Sequence, residues 1–300
     1  MISSISSIKA QDSINVSILT CGTGTSEVYQ AYGHTGIRVK NFTKNTDEVY
    51  NYGMFNFNEE GFLLKFIQGK LLYFVATEEF SSFMYDYEYY GRSVREQLLN
   101  LNSEQKNQLI SALEKNALPE NRYYLYDFIY NNCSSQPRDL LRNSIGEGFE
   151  FKTLASENTE TVREIVDRHM KYNEWLDFGI DLLLGVRFDV KADADTRMFL
   201  PEELMIEFDS TIFNGQAIVS DSRILLQGRE QIIPKIIDPT LLFWSILGLV
   251  LMFQIFFSTA SFRKVLAFTF LIFTGIIGWI LTFMWVGTDH YMTKWNYNLL

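Results

Sequence analysis

The segment RYYLYDFIYNNCSSQPRDLL, residues 122–141, changes character halfway: aromatic and apolar residues give way to small polar ones and then to a helical pattern. Proline is tolerated in a helix only in the first turn, so Pro137 predicts a helix that begins just behind Cys133. The Cys133 thiol would then lie at a helix N-terminus. There the helix dipole and the free N–H groups would stabilise a thiolate and could receive an oxyanion.

A thiolate nucleophile needs a general base, and the chain offers three histidines for that role. His34 lies on a predicted strand over residues 34–39, where flanking glycines leave room for a substrate or for another backbone. His169 falls on the charged face of a predicted helix, which is typical of a solvated side chain. His290 follows the second of two long apolar segments and is expected at the outer membrane surface, either near substrate or simply in the interface.

Residue types alone leave a non-catalytic interpretation of Cys133 open. A single cysteine is more often a buried small apolar residue or half of a disulfide than a nucleophile. Cys21 is the other cysteine of the chain, and an exported domain sees an oxidising compartment in which the two could pair. A binding module held by that disulfide therefore stands beside the catalytic interpretation. Without CxxC or histidine-rich spacing, we predict no metal and no cofactor.

Two long apolar segments predict a transmembrane helical hairpin. Residues 239–257 and 265–286 contain no charge over 19 and 22 positions. Helices of these lengths span roughly 28 and 33 Å, about the thickness of a bilayer core. The alternative is a buried hairpin in a soluble protein, although uncharged runs this long are rare in soluble cores. Arg263 and Lys264 lie in the short connection 258–264, which the positive-inside rule places in the cytoplasm.

Both flanks of the hairpin, residues 1–238 and the tail 287–300, are then predicted on the opposite side of the membrane. The chain carries 26 basic and 36 acidic residues, a formal net charge of −10, which argues against binding nucleic acid through its phosphates. Export requires a leader, yet residues 1–13 lack a charged n-region and a long apolar core. We interpret them as an N-terminal tail or signal remnant, and we expect the full protein to extend further at both ends.

Residues 14–150 read as a mixed domain built on antiparallel strands, with those at 34–39 and 48–57 pairing in a hairpin. Asn102, Ser103 and Gln105 predict the start of a helix. Residues 151–238 show no chemistry of their own and are predicted to be an accessory segment with a turn at Asn214-Gly215. The predicted strands cover 15–20, 34–39, 48–57, 71–77 and 93–99, and the predicted helices cover 103–116 and 161–172.

Several long motifs resemble the bacterial Lnb-type lipoprotein N-acyltransferases, whose N-terminal domain is periplasmic. The matching stretches are SILTCGTGTSEVYQAYGHTGIRV, EVYNYGMFNF, FLLKFIQGKLLYFV, YYGRSVREQLLNL and LPENRYYLYDFIYNNCSSQPRDLL, then WLDFGIDLLLG, MFLPEELM and GTDHYMTKWNYNLL. This resemblance covers nearly the whole chain. It implies an α+β fold of the permuted papain-like kind, similar to NlpC and lecithin-retinol acyltransferase, in which an antiparallel sheet with the histidine strand precedes the cysteine helix.

The resemblance also implies a reaction. Cys133 matches the nucleophile of the family and His34 its base, and the family moves a fatty acyl chain from phospholipid to the N-terminal amine of diacylglyceryl-cysteine lipoproteins. Residues 14–150 are then the catalytic domain on the periplasmic face of the bacterial inner membrane, and 239–300 are two membrane helices with a short periplasmic tail. A membrane-anchored cysteine hydrolase, either peptidase or lipid esterase, would use the same two residues and stays an alternative.

Two further groups of residues complete the predicted site. In the wider class the third polar group comes from the strand after the histidine, and we assign it to Asn51, with Tyr52 and Asn56 behind it. Arg38 shares a strand face with His34 and is expected to meet a phosphate or to be a surface charge. The predicted substrate-binding residues are Tyr32, Arg38, Tyr126 and His290, with Tyr123, Tyr124 and Phe128 as further candidates for an acyl groove or as ordinary packing.

Overall fold

The computed structural model describes residues 13–151, 160–170, 173–229, 236–257 and 259–299, so residues 1–12 of the predicted tail lie outside it. Within these described residues, ten strands form two antiparallel sheets. They are β1 (Ile14–Cys21), β2 (His34–Asn41), β3 (Thr46–Met54), β4 (Leu72–Glu79), β5 (Val94–Leu99), β6 (Tyr123–Leu125), β7 (Phe149–Glu150), β8 (Ile212–Phe213), β9 (Gln216–Ala217) and β10 (Val219–Leu226). The large sheet has the order β10-β5-β1-β2-β3-β4-β6, and the small one β7-β8-β9.

The predicted strands and the hairpin of β2 and β3 are confirmed. Cys21 pairs with His34 at one end of β1 and β2, and Gly36 of β2 pairs with Asn51 of β3. The third strand stops at Met54 rather than at residue 57. Its register against β4 shifts between Asn51 and Met54, where Gly53 takes a positive φ of 86° that ends regular pairing.

Eight helices surround the sheets in the described part of residues 13–229. The predicted capping box is confirmed, because the Asn102 side chain accepts a hydrogen bond from the Gln105 amide and the Gln105 side chain accepts one from Asn102. The helices are α1 (Phe62–Gln68), α2 (Phe80–Tyr89), α3 (Ser103–Ala117), α4 (Ser135–Ile145), α5 (Val162–Met170), α6 (Glu174–Leu183), α7 (Ala194–Arg197) and α8 (Pro201–Ser210). Of these, α4 begins two residues after Cys133 and holds Pro137 in its first turn, as predicted.

Residues 160–229 pack against the sheet and core formed by residues 14–150. Strand β10 extends the main sheet beside β5, and the predicted turn at Asn214-Gly215 joins β8 to β9. One hydrophobic core draws on residues from both sides of position 150, where the predicted catalytic segment ends. Its buried members include Val16, Ile18, Ile37 and Tyr52 from one side and Met198, Leu204, Phe208 and Ile218 from the other.

Two long apolar helices follow, α9 (Pro239–Phe257) and α10 (Ala260–Val286), with mean hydropathies of 1.9 and 2.2. Only 6% of the apolar stretch of each helix is buried within the protein. A core helix of a soluble protein would be mostly buried, so the soluble-hairpin alternative does not fit this chain. The structure corrects the predicted loop 258–264. Helix α10 already begins at Ala260, because Thr259 caps it, and Arg263 and Lys264 therefore lie within its first turns.

Both outer ends of the two apolar helices meet the same part of the domain. Near the start of α9, the Phe243 ring packs 5.3 Å from that of Phe178 on α6. After α10, the Met292 carbonyl accepts a hydrogen bond from the Gly185 amide at 2.8 Å, just beyond α6. The start of α9 and the tail after α10 therefore lie on one side, as a membrane hairpin requires.

Candidate active site

The loop before α4 is organised by one buried amide. The Asn132 side-chain oxygen accepts hydrogen bonds from the amides of Ser134 and Ser135 at 2.8 and 2.9 Å. Its nitrogen donates to the carbonyl oxygens of Phe128 and Phe199 at 2.6 and 2.8 Å. These bonds hold Cys133 at the entrance to the helix. They also correct the prediction of a free oxyanion site there, since two of the N–H groups at the helix start already have an acceptor.

Gly53 lets the sheet approach Cys133 closely. An added Cβ at this residue would lie 3.2 Å from the Cβ of Cys133, and the positive φ of 86° is a conformation that other residues rarely adopt. The irregular end of β3 is thus where the sheet and the cysteine loop come together.

His34 is the first residue of a chain of three polar side chains. Its Nε2 lies 3.1 Å from Asn51 Oδ1, and Asn51 Nδ2 donates to Glu78 Oε1 at 2.6 Å. The carboxylate accepts only, so it fixes the Asn51 amide with its oxygen toward the imidazole. His34 then carries its proton on Nε2 and keeps the lone pair of Nδ1 for use as a base.

The segments that carry Cys133 and His34 are in direct contact. Thr35, next to His34, bonds through its hydroxyl to the Ser134 hydroxyl at 2.9 Å, and its backbone amide hydrogen bonds the Cys133 thiol. Cys133 and His34 also line one cavity of about 430 Å³. The structure therefore brings together the predicted nucleophile, the predicted base and, through its hydrogen bond to His34, the predicted third residue Asn51.

Electrostatics at this site differ from the sequence expectation. Burial raises the pKa of the Cys133 thiol above its ordinary value, and the helix start does not reverse this, although the Thr35 amide and the Ser134 side chain lower it. Burial also lowers the pKa of His34 to about 4, against the opposing hydrogen bond from Asn51. Burial therefore favours the neutral forms of both the thiol and the imidazole over a thiolate–imidazolium pair.

Alkylation of Cys133 by iodoacetamide should therefore rise by about tenfold per pH unit from pH 6 to pH 8, because only the small thiolate fraction reacts. The measurement uses a Cys21→Ala chain, so that Cys133 is the single thiol. A rate that reaches its plateau below pH 6 would instead indicate a preformed thiolate–imidazolium pair.

Aromatic side chains make the walls of the cleft around Cys133. Two of the predicted substrate-binding residues, Tyr32 and Tyr126, line it, and they also line a second apolar cavity of about 260 Å³ that His290 borders. The ring of Tyr126 stacks on that of Tyr73 at 4.4 Å between centroids. The residues common to both cavities are Tyr32, Phe66, Tyr73, Tyr126 and Phe128.

Other sequence-predicted groove residues are placed elsewhere. Tyr123 is exposed and pairs with Arg122, and Tyr124 lies against the main core, so neither lines the cleft. Tyr52 is buried on the core side, where its hydroxyl accepts a hydrogen bond from Asn116 at 3.0 Å. Asn56 caps the Asn58 amide in the turn after β3, which leaves Asn51 as the one member of that set in contact with His34.

Arg38 requires a correction. Its guanidinium is buried, donates to Asp47 at 2.6 and 2.7 Å and to Glu96 at 2.9 Å, and lies 3.4 Å from the centre of the Phe80 ring. It does not line the cleft of Cys133. The carboxylates of Asp47 and Glu96 neutralise the guanidinium and occupy its N–H groups, so Arg38 is not available to a phosphate. Its contacts instead link strands of the sheet.

The structure also differs from the expectations for the Cys21–Cys133 disulfide and for His169. Cys21 and Cys133 are both free thiols, and Cys21 is buried beside Leu19 and Val49, so the structure contains no bridge between them. His169 is not solvated. Its side chain is 6% exposed, its Nδ1 donates to the Ile165 carbonyl oxygen at 2.8 Å, and its Nε2 lies 3.3 Å from a carboxylate oxygen of Glu202.

Sequence reasoning missed two polar residues of the site, Glu78 and Arg92. Glu78 supports Asn51 from β4, and burial raises the pKa of its carboxyl. Arg92 lines the cleft from the segment between α2 and β5. Neither stands in a motif, and only the pairing of β3 with β4, together with the fold of residues 80–93, brings them to His34.

One group of three carboxylates in the described residues has the spacing of a cation site: Asp167, Asp177 and Asp181. Burial, with the charges of the other two, raises the pKa of Asp167 to about 6. Arg163 pairs with Asp181, and none of the three acids lines the cleft of Cys133. We assign no metal to this cluster.

The fold, the cleft and the two apolar helices define a membrane-anchored mixed α/β protein with a candidate cysteine–histidine site. Residues 7–168, more than half of the chain, match the family described as the Lnb N-terminal periplasmic domain, and the chain belongs to that family. The family fits a periplasmic position for the sheet domain beside its membrane helices. Comparison with curated proteins and with solved structures yields no match.

Proposed function

We propose that this protein is a membrane-anchored cysteine acyltransferase that moves a fatty acyl chain, through a Cys133 thioester, from a phospholipid to the N-terminal amine of a diacylglyceryl-cysteine lipoprotein. The observation that carries the proposal is the shared cleft, in which a thiol and a neutral imidazole lie among aromatic walls. The order of His34 strand before Cys133 helix fits the permuted papain-like arrangement that we propose for residues 14–150. The Lnb family membership supports the same reaction class.

The mouth of the cleft supports a lipid substrate. Exposed apolar side chains surround it, including Val28, Tyr29, Phe57 and Leu63. Helix α1 continues this surface with Leu64 and Ile67, and it is tied to the chain that leaves the membrane: the Asp289 amide donates to the Gln68 carbonyl at 2.8 Å. An apolar surface this close to a membrane helix is suited to the lipid interface.

In the first half-reaction, Nδ1 of His34 accepts the proton of the Cys133 thiol as the sulfur attacks the ester carbonyl of the phospholipid. The carbon–oxygen bond of the ester then breaks, and the imidazolium returns the proton to the departing glycerol oxygen. Lysophospholipid leaves, and the acyl chain stays on Cys133 as a thioester. Asn51 holds the imidazole in orientation throughout, because its oxygen accepts from Nε2.

In the second half-reaction, the neutral amine of the lipoprotein attacks the thioester carbonyl, and His34 accepts the amine proton. The carbon–sulfur bond breaks as an amide forms, and the proton passes to the Cys133 sulfur. The free thiol is restored. Aromatic residues such as Tyr126 and Phe128 would limit competing hydrolysis by excluding water from the thioester.

The hydrolase alternative differs only in whether water or an amine resolves the thioester. Mass spectrometry of lipoprotein N-termini separates the two, after expression of the full protein in a bacterium that lacks its own N-acyltransferase. Triacylated N-termini support transfer. Lipoproteins that stay diacylated, while lysophospholipid and free fatty acid accumulate, would indicate a hydrolase.

Replacing Leu64 and Ile67 on α1 by aspartate should lower acyl transfer from lipid vesicles by about tenfold or more, since each side chain loses burial in the interface. Turnover of a water-soluble short-chain ester should change little, because neither residue lines the cleft. Leu118→Asp is the matched control, since this exposed leucine at the end of α3 also lies outside the cleft. Equal losses on vesicles and soluble ester would show that α1 matters for stability rather than for lipid contact.

A further inference from the structure

Arg92 is a buried cation beside the cleft. It is 8% exposed, its Nε donates to the Gly22 carbonyl at 2.8 Å, and its guanidinium carbon lies 4.7 Å from the centre of the Tyr87 ring. Its Nη2 is shielded from solvent and has no hydrogen-bond partner. The side chain is thus held by the hydrogen bond from Nε and by the Tyr87 ring against one face of the guanidinium, while the N–H groups of Nη2 have no acceptor.

The other buried arginines of the described residues are neutralised by carboxylates, whereas no carboxylate oxygen of that part of the chain lies within 4 Å of Arg92. A buried charge without a partner is costly, so an unpaired arginine that borders a cavity is a candidate contact for an anionic ligand. The paired arginines are Arg38 with Asp47 and Glu96, Arg138 with Asp139, and Arg197 with Glu160 and Glu203.

The position of Arg92 connects this charge to the reaction. The residue lines the same cavity as His34 and Cys133, and its charge acts on both: it contributes to the lowered pKa of His34 and offsets part of the raised pKa of Cys133. Arg92 also borders a second, more polar cavity that Arg95 and Arg229 help to line. An anion at Arg92 would therefore lie between the apolar cleft and a polar chamber.

We infer that Arg92 binds the phosphate of the donor phospholipid and thereby positions the ester for attack by Cys133. The inference rests on the proposed function and adds the group that selects the donor. A guanidinium suits a phosphate because its parallel N–H groups match two phosphate oxygens. In a glycerophospholipid the phosphate and the acyl esters are attached to the same glycerol, so binding of the phosphate restricts the position of the ester carbonyl.

The test compares two donors with identical acyl chains, phosphatidylglycerol and neutral diacylglycerol, using the full chain in detergent–lipid micelles. The measured quantity is the rate of single-turnover acylation of Cys133, followed by intact-protein mass. The wild-type chain should prefer the phospholipid by about tenfold or more, the scale of a charge-assisted bidentate contact. Arg92→Gln should abolish that preference by lowering the phosphatidylglycerol rate about tenfold more than the diacylglycerol rate, and Arg92→Lys should keep part of the preference.

Arg95→Gln is the matched control, because Arg95 lines only the polar chamber and already contacts Ser222 and Asp209. It should retain the wild-type donor preference. Millimolar inorganic phosphate should slow acylation from phosphatidylglycerol and leave diacylglycerol unaffected; equal inhibition of both donors would mean a free-phosphate site that does not select the donor, and would overturn the inference.

The remaining outcomes are equally distinct. Equal loss on both donors in Arg92→Gln would show that Arg92 acts only through the charges of His34 and Cys133, and it would overturn the phosphate contact. An unchanged preference in Arg92→Gln would overturn it as well. If the wild-type chain acylates Cys133 from neither donor, the proposed function itself is contradicted. That result is obtained without the arginine variants, so it is distinct from failure of the phosphate contact.

Discussion

Cys133→Ala is expected to abolish lipoprotein N-acylation, with a loss of at least about 10⁴-fold, because removal of a covalent nucleophile leaves only binding and positioning. The side chain is small and half-buried, and alanine fits the contact with Gly53, so the fold should be retained. The measurement is the fraction of triacylated lipoprotein N-termini by mass spectrometry. Comparison of membrane protein levels shows that the variant accumulates like the wild-type chain.

Cys21→Ala is the matched control for this loss. Cys21 is buried in a small apolar cluster, where burial raises the pKa of its thiol to about 12, and it does not line the cleft. This variant should lose some stability through the removed sulfur and keep its activity. Full activity of Cys133→Ala, or the same loss in both variants, would contradict the role of Cys133 as nucleophile.

His34→Gln is expected to lower kcat by about 10²- to 10⁴-fold, the usual contribution of a general base. Glutamine can still accept or donate toward Asn51, so the variant preserves much of the local hydrogen bonding while it loses the proton acceptor. Because the imidazole of the wild-type chain is neutral above about pH 4, its activity should not fall between pH 7 and pH 5 through protonation of His34. The experiment records acylation rates over that range.

His169→Gln is the control for the histidine substitution. This residue lies beside Glu202 and Glu203, away from the cleft, and its replacement should leave acylation within a few-fold of the wild-type rate while altering stability. A rate for His34→Gln that matches the wild-type rate would remove His34 from the mechanism. The base would then have to be another group of the cleft.

Local signals in the sequence were sufficient for the elements that carry the site. Pro137 located the start of α4, the predicted strands at 34–39 and 48–57 located the hairpin of β2 and β3, and Asn102 with Gln105 located α3. These predictions depend on neighbouring residues, and the structure confirms them. The two apolar helices were visible for the same reason, although the start of α10 was set by the cap at Thr259 rather than by hydropathy.

Features that depend on distant contacts were not predictable in this way. Arg38 was expected to meet a phosphate or to be a surface charge because it shares a strand face with His34 on β2. Its partner Glu96 lies on β5, two strands away across β1, and only the strand order brings the two together. The thiol pKa was misjudged for a similar reason: a helix start can be read from Pro137, whereas burial of Cys133 depends on the packing of the whole cleft. Strand β10 likewise joins the sheet from more than a hundred residues away.

Intact-protein mass spectrometry of the full chain after brief mixing with phospholipid tests the central claim most directly. The proposal predicts a single added acyl group that maps to Cys133, is released by neutral hydroxylamine as thioesters are, and disappears when a diacylglyceryl-cysteine peptide is added. Acylation at another residue, or lipoprotein N-acylation that proceeds with Cys133 unmodified throughout, would contradict it.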